Sequence, residues 1–453
     1  MGHPALPTSD LRAIARHSAS VLVGQLAVMA FGVTDTLIAG RYSDTALAAL
    51  SVGTAIYVSV FVSLIGVMQA TLPVWAELRG AQRHREIGAS VRQSLYLCAM
   101  AVAVGMVVLL WAQPLLHWTE VPAALQAEVL AYLQILAFAL APSLLFRLYA
   151  NLNQSMGRPL LVTWLQIGSL TLKVPLSLWL AFGGLGLEAQ GLAGCAWATL
   201  IVNYAMLVVA VWMLRTRLLY APLVLFARMA RPDWQHIGRL ARLGVPGGLA
   251  VLVEVTSFTL MALFIARQGA TASASHQIAA NLATVLYMVP LSLGIATSAR
   301  VSYRLGAAQP GQARQAVWAG YKLAGGAALA LSATLLLASE VLPRLYSGNA
   351  AVVVSAAVLL KWVALYHLMD TLQALSVFVL RCYRVTLLPL AIYSVLLWGV
   401  GLAGGYWLAY EGMAGRMPAW QTPQAFWVTS VVALTCVAVL FVGLVWRTTR
   451  PRA

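Results

Sequence analysis

The sequence predicts an all-α polytopic membrane protein, with twelve transmembrane helices in two pseudo-symmetric six-helix bundles. Three observations predict it. The chain of 453 residues is 61% hydrophobic and only 9% charged, where an average soluble domain is about 25% charged. Its apolar residues fall in long continuous runs, not in alternating ten-residue segments, so helices satisfy the backbone in lipid. A basic segment from Arg215 to Leu243 (RTRLLYAPLVLFARMARPDWQHIGRLARL) divides those runs into two sets of six.

In chain order the runs place spans at 18–40, 46–71, 91–112, 130–152, 160–182, 189–214, 244–266, 276–299, 316–339, 355–380, 386–410 and 424–446, separated by loops marked by Gly, Pro and charge. The expected domains are an N-terminal bundle over 1–215, a basic cytoplasmic linker over 216–243 and a C-terminal bundle over 244–453. The first residues (MGHPALPTSDLRAIARH) hold no cleavable apolar core, and the first run continues for a full span. Orientation follows from the arginines. With both termini in the cytoplasm, the inner loops and tails collect twenty-one of them, from Arg12 and Arg16 through Arg79, Arg158, Arg300, Arg381 and Arg384 to Arg447, Arg450 and Arg452; the outer loops collect four, Arg41, Arg267, Arg344 and Arg416. That is the positive-inside bias of short loops. It accounts for the net charge of +16 without a nucleic-acid partner. Cys98, Cys195, Cys382 and Cys436 stand singly and suggest neither a metal centre nor a disulfide framework.

The two halves carry a weak repeat. Arg79-Gly80-Ala81 matches Leu305-Gly306-Ala307 at an offset of 226, Ser20 falls opposite Pro246 at the same offset, and Gly157-Arg158-Pro159 falls near Arg384-Val385-Thr386 at 227. Two parallel six-span repeats are a transporter signature, with the substrate path at their interface.

Of thirteen acidic residues, ten lie in tails, loops or span ends. Asp35, Glu254 and Asp370 remain at membrane depth. Asp35 lies in VLVGQLAVMAFGVTDTLIAG (Val21–Gly40), a run long enough to cross a bilayer, which takes about 20 apolar residues. Glu254 is ten residues after Gly244 and thirteen before Arg267, and Asp370 lies between Lys361 and Arg381. A carboxylate at that depth is costly and reads as functional by default. Two in one half call for a cation between them, a shared proton or a basic partner. Tyr366, four residues before Asp370, shares its helix face. Glu254, Asp370 and Tyr366 therefore offer hard oxygen ligands for Na⁺, or carboxyls suited to proton exchange. Lys173 is either a counter-charge to Asp35 or a path-lining group. Gln25, Asn151, Asn153, Gln166, Asn203, Gln277, Asn281 and Gln373 line a cavity or join helices. Tyr57, Phe61, Trp164, Phe258, Tyr287 and Met288 form an aromatic wall for flat cations or pack as ordinary core.

Four stretches resemble the multidrug and toxic compound extrusion (MATE) family, and within it the NorM branch: GVTDTLIAGRYSDTALAALSVG (Gly32–Gly53), VPGGLAVLVE (Val245–Glu254), ASHQIAANL (Ala274–Leu282) and YHLMDTLQALSVFVLRCYR (Tyr366–Arg384). The resemblance covers essentially the whole chain. It implies a V-shaped pair of bundles that exports small organic cations, fluoroquinolone- or dye-like, across the bacterial inner membrane in exchange for Na⁺ or H⁺. It implies no cofactor beyond the coupling ion, and no partner beyond substrate and lipid. Asp35 matches the family's first-helix aspartate, linked to protonation and drug release; Glu254, Asp370 and Tyr366 match its C-terminal cation site. Ser20 stands where the family often has proline, and Cys382 where it often has glycine. A flippase of the same superfamily would carry more basic cavities. An integral membrane enzyme finds only His367 beside Asp370, and a channel would need a filter motif.

Overall fold

A computed structural model describes residues 9–118, 121–184, 186–412 and 418–450. Arg416, Arg452 and Glu120 lie outside the described residues. The helices are α1 (Asp10–Tyr42), α2 (Asp44–Met68), α3 (Thr71–Gly80), α4 (His84–Leu110), α5 (Gln113–Trp118), α6 (Ala123–Ser155), α7 (Pro159–Phe182), α8 (Gly191–Thr216), α9 (Trp234–Ala266), α10 (Ala270–Gly306), α11 (Pro310–Leu337), α12 (Ala350–Cys382), α13 (Leu387–Val395), α14 (Gly404–Tyr410) and α15 (Gln424–Thr448). Among the described residues, twelve helical segments are long and apolar enough to cross a membrane, one for each expected run. The second pairs α2 with α3. The eleventh joins α13 and α14 through a π-helical stretch, Leu396–Ala403, where Thr429 Oγ1 donates to the Gly401 carbonyl at 2.7 Å.

Two helices start earlier than hydropathy predicts. α9 begins at Trp234, ten residues before the expected span. Asp233 caps it, its Oδ1 accepting from the backbone N–H groups of Gln235 and His236 at 3.0 and 3.1 Å. The turns that follow are amphipathic: Ile237, Leu240 and Leu243 are buried while Arg239 and Arg242 face out. Averaging over those arginines hides the helix. α1 begins at Asp10, whose Oδ1 accepts from Arg300 Nε at 2.6 Å and Arg304 Nη2 at 3.0 Å.

The second span breaks because Pro73 has no N–H to return to the Gln69 carbonyl. Side chains of α6 repair the break. Asn151 Nδ2 donates to the Met68 carbonyl at 2.9 Å and to Thr71 Oγ1 at 3.0 Å, and Arg147 donates to Gln69 Oε1.

The chain forms two compact units, Ser20–Gly248 and Leu249–Ala453 with Met1–Ala19. The basic segment is docked on the first of them. Arg92 Nη1 donates to the Val224 carbonyl (2.7 Å), Gln93 Nε2 to the Arg231 carbonyl (3.0 Å) and Tyr96 to the Ala230 carbonyl (2.9 Å). A Cβ on Gly88 would stand 1.7 Å from the Leu223 carbonyl oxygen, so only glycine admits the segment there. Arg381, expected in an inner loop, is instead only 5% exposed at the end of α12, its guanidinium 5.5 Å from the Phe378 ring centre.

The repeat reappears in backbone geometry. α3, α6, α10 and α12 all end in the same left-handed cap, with Gln82, Gly157, Ala308 and Arg384 at φ 60, 69, 56 and 64°. In each, the N–H one residue further on reaches back five residues: Arg83 to Leu78, Arg158 to Asn153, Gln309 to Arg304 and Val385 to Leu380, at 2.8–3.0 Å. Gln82 and Ala308 are 226 positions apart, Gly157 and Arg384 227.

Candidate functional site

Each unit carries one buried acidic site. In the first, α1 is pinned to α7 near their starts, where Ser20 Oγ and Thr163 Oγ1 lie 3.0 Å apart and Thr163 also donates to the Ser20 carbonyl. Both helices run in the same direction, and further along Asp35 meets Lys173. The ammonium is 2.8 Å from Asp35 Oδ1. It also donates to the Cys195 carbonyl (2.9 Å) and to Thr199 Oγ1 (2.6 Å) on α8. α8 comes this close to α7 through Gly194, where a Cβ would stand 2.5 Å from the Leu180 carbonyl. Lys173 has no exposed surface and Asp35 has 6%. The Cys195 thiol and the Tyr132 phenol also face the carboxylate. Such a pair survives burial because its charges cancel and its protons find acceptors.

In the second unit, Asp370 is 3% exposed on α12, with Tyr366 buried one turn before it. Glu254, half-buried on α9, faces Asp370 closely enough for the two carboxylates to repel. The phenols of Tyr287 (α10), Tyr366 and Tyr393 (α13) look toward both acids, and Tyr287 also toward Arg381. The Tyr366 ring is fixed edge-on against Phe258 and Trp427, with centroids 5.9 and 5.6 Å away. This site contains buried polar atoms without hydrogen-bond partners: Asp370 Oδ1, Thr371 Oγ1 and Trp427 Nε1. Burying an unpaired polar atom is costly. Two carboxylates and three phenols, with Asp370 Oδ1 unpartnered, form a hard-oxygen donor set, which suits Na⁺ or a proton and not a soft metal. Among the described residues, no cluster of three or more His, Cys, Asp or Glu side chains could hold a metal.

The structure thus brings Glu254, Asp370, Tyr366 and Tyr287 together, and separately Asp35 and Lys173. Tyr287, read from sequence as part of an aromatic wall, stands at the acids. Tyr57 stacks on Phe61 at 5.3 Å in the first unit. Gln25 is half-buried on α1 and Asn203 buried on α8, while Met288 is half-buried beside Tyr287. Trp164 is 68% exposed. Sequence reasoning missed Thr199, Tyr393 and Trp427. A phenol inside the otherwise apolar run LLPLAIYSVLLWG was the signal for Tyr393.

The family model described as MatE matches residues 21–179 and 246–407. The chain is 36% identical over 425 residues to a probable multidrug resistance protein NorM of Aromatoleum aromaticum, covering 94% of this chain and 91% of that one. It is 32% identical to the multidrug resistance protein PmpM of Pseudomonas aeruginosa, over 97% and 93%. Among solved structures it resembles the eukaryotic MATE transporter AtDTX14 (TM-score 0.85, 18% identity, 97% and 95% covered) and the Vibrio cholerae MATE transporter VcmN in its bent form (TM-score 0.82, 17% identity, 98% and 97% covered).

Proposed function

The chain belongs to the MatE family of membrane transporters, and on that premise we propose that it is a multidrug efflux antiporter exporting small organic cations in exchange for Na⁺ or H⁺. The observation that carries this reading is the cluster of Glu254, Asp370 and three phenols inside the second unit, with buried Asp370 Oδ1 left without a partner. Like charges held that close disfavour the empty, doubly ionised state. An entering cation relieves the repulsion, and its binding energy is then available to shift a conformational equilibrium. Coupling follows if the ion and the organic cation prefer different conformations.

Glu254, Asp370 and Tyr366 would hold the coupling ion, with Tyr287 and Tyr393 completing the oxygen set; Na⁺ is the favoured ion there because the phenols add ligands a proton does not need. Asp35 would serve as a second coupling carboxylate. Gln25, Asn203, Tyr57, Phe258 and Met288 are the candidates for the cargo's path. The embedded acids favour cationic cargo, and the multidrug names of the relatives agree with a broad substrate range. The protein would sit in the cytoplasmic membrane with both termini inside, where the arginine bias places them.

The test is ethidium efflux from cells with Na⁺ and pH gradients imposed separately. Either gradient driving efflux supports antiport. Efflux indifferent to both gradients, from protein present in the membrane, would turn the reading toward a lipid-linked cargo.

A further inference from the structure

Lys173 stands against Asp35, and its role here rests on the reading of Asp35 as a coupling carboxylate. Its ammonium sits among three oxygens: it donates to the Cys195 carbonyl and Thr199 Oγ1 at 2.9 and 2.6 Å, and pairs by charge with Asp35 Oδ1 at 2.8 Å. These are the hard oxygens a Na⁺ ion would need at this site, and the lysine already occupies them. The other titratable groups facing the carboxylate are the Cys195 thiol from α8 and the Tyr132 phenol from α6, and neither supplies a positive charge.

We propose that Lys173 is a tethered cation that excludes Na⁺ from Asp35 and leaves the proton as the only ion this carboxylate exchanges. A proton needs no coordination sphere. It forms one O–H bond on the Asp35 carboxylate and leaves by breaking it, while Lys173 stays an ammonium held by Cys195 and Thr199. A Na⁺ ion would have to take the same oxygens beside a fixed like charge. The two acidic sites then differ in kind. The first is filled by its own lysine and titrates with protons alone; the second, where Asp370 faces Glu254 and the Tyr366 phenol, is open to Na⁺.

The experiment is equilibrium binding of ²²Na⁺ to the purified full-length protein in detergent. Glu254→Gln/Asp370→Asn serves as background, to silence the second site. With Lys173 in place, that background binds no Na⁺ through Asp35: adding Asp35→Asn changes nothing. Adding Lys173→Asn or Lys173→Thr to the background raises bound Na⁺ by at least about tenfold at a fixed subsaturating concentration, since a like charge a few ångströms away is gone, and Asp35→Asn abolishes the gain. Binding by the background that disappears on Asp35→Asn would overturn the proposal even if no Lys173 variant folds. So would folded Lys173 variants that gain no binding. Ethidium efflux by the parent is measured alongside: its absence would remove the transport reading, whereas the Na⁺ binding result judges the lysine alone.

Discussion

Replacing Lys173 with Met strips one partner from a pair that water does not reach. At 2.8 Å and an effective dielectric of about 20, the Coulomb attraction is about 6 kcal/mol. Breaking a buried pair by removing one partner costs about 3–5 kcal/mol, because the other charge stays buried alone. Other bonds soften little of this. Thr199 Oγ1 already donates to the Cys195 carbonyl at 3.0 Å, so those two groups keep each other and the loss falls on Asp35. Asp35→Leu strands the ammonium at similar cost. The double variant Asp35→Leu/Lys173→Met carries no stranded charge, and its apolar side chains have roughly the volume of the pair, so it lies within about 1 kcal/mol of the parent. The coupling energy across the cycle is then about 5 kcal/mol or more. Thermal and denaturant unfolding of the purified proteins in detergent reads it out: both single variants unfold well before the parent, and the double variant close to it. Additive losses, with the double variant the worst of the four, would refute the account of the ion pair.

Two further outcomes follow from elements away from the acids. Asp10→Asn weakens charged bonds to Arg300 and Arg304 that are only partly exposed; it should cost about 1–3 kcal/mol and lessen the salt dependence of melting. The left-handed caps predict changes of opposite sign: Gly157→Ala forces a Cβ into φ 69° with Arg79 Nη1 at 2.9 Å and lowers stability by about 1–2 kcal/mol, while Ala308→Gly at φ 56° is neutral or raises it by up to about 1 kcal/mol, both measured as melting shifts.

All twelve spans were legible in the sequence, because lipid leaves the backbone no alternative to long apolar helices. Their ends were less so. The turns from Trp234 to Leu243 bury one apolar stripe between arginines, which a running average reads as a loop. The break at Gln69–Ala70 needed Pro73 to be weighed as a missing donor. The acids were found individually because carboxylates are rare in such runs, and Tyr366 with Asp370 by helical spacing. The Asp35–Lys173 pair was open from sequence, since 138 positions separate its members and only the approach of α7 to α8 at Gly194 fixes where the ammonium goes. Tyr393 stayed hidden because a single phenol in an apolar helix is as often packing as chemistry. The offset of 226–227 between loops, slight as letters, is plain in the caps, where conformation persists although Gln82, Ala308 and Arg384 are not glycine.

The central claim is that the acid cluster of Glu254 and Asp370 couples cation entry to export. Its most direct measurement is ethidium transport in proteoliposomes under a Na⁺ gradient, and separately a pH gradient, for the parent and for Glu254→Gln/Asp370→Asn. The account predicts gradient-driven transport by the parent and none under a Na⁺ gradient by the double variant, with the variant still monodisperse and inserted. Undiminished Na⁺-driven transport without both carboxylates would contradict it.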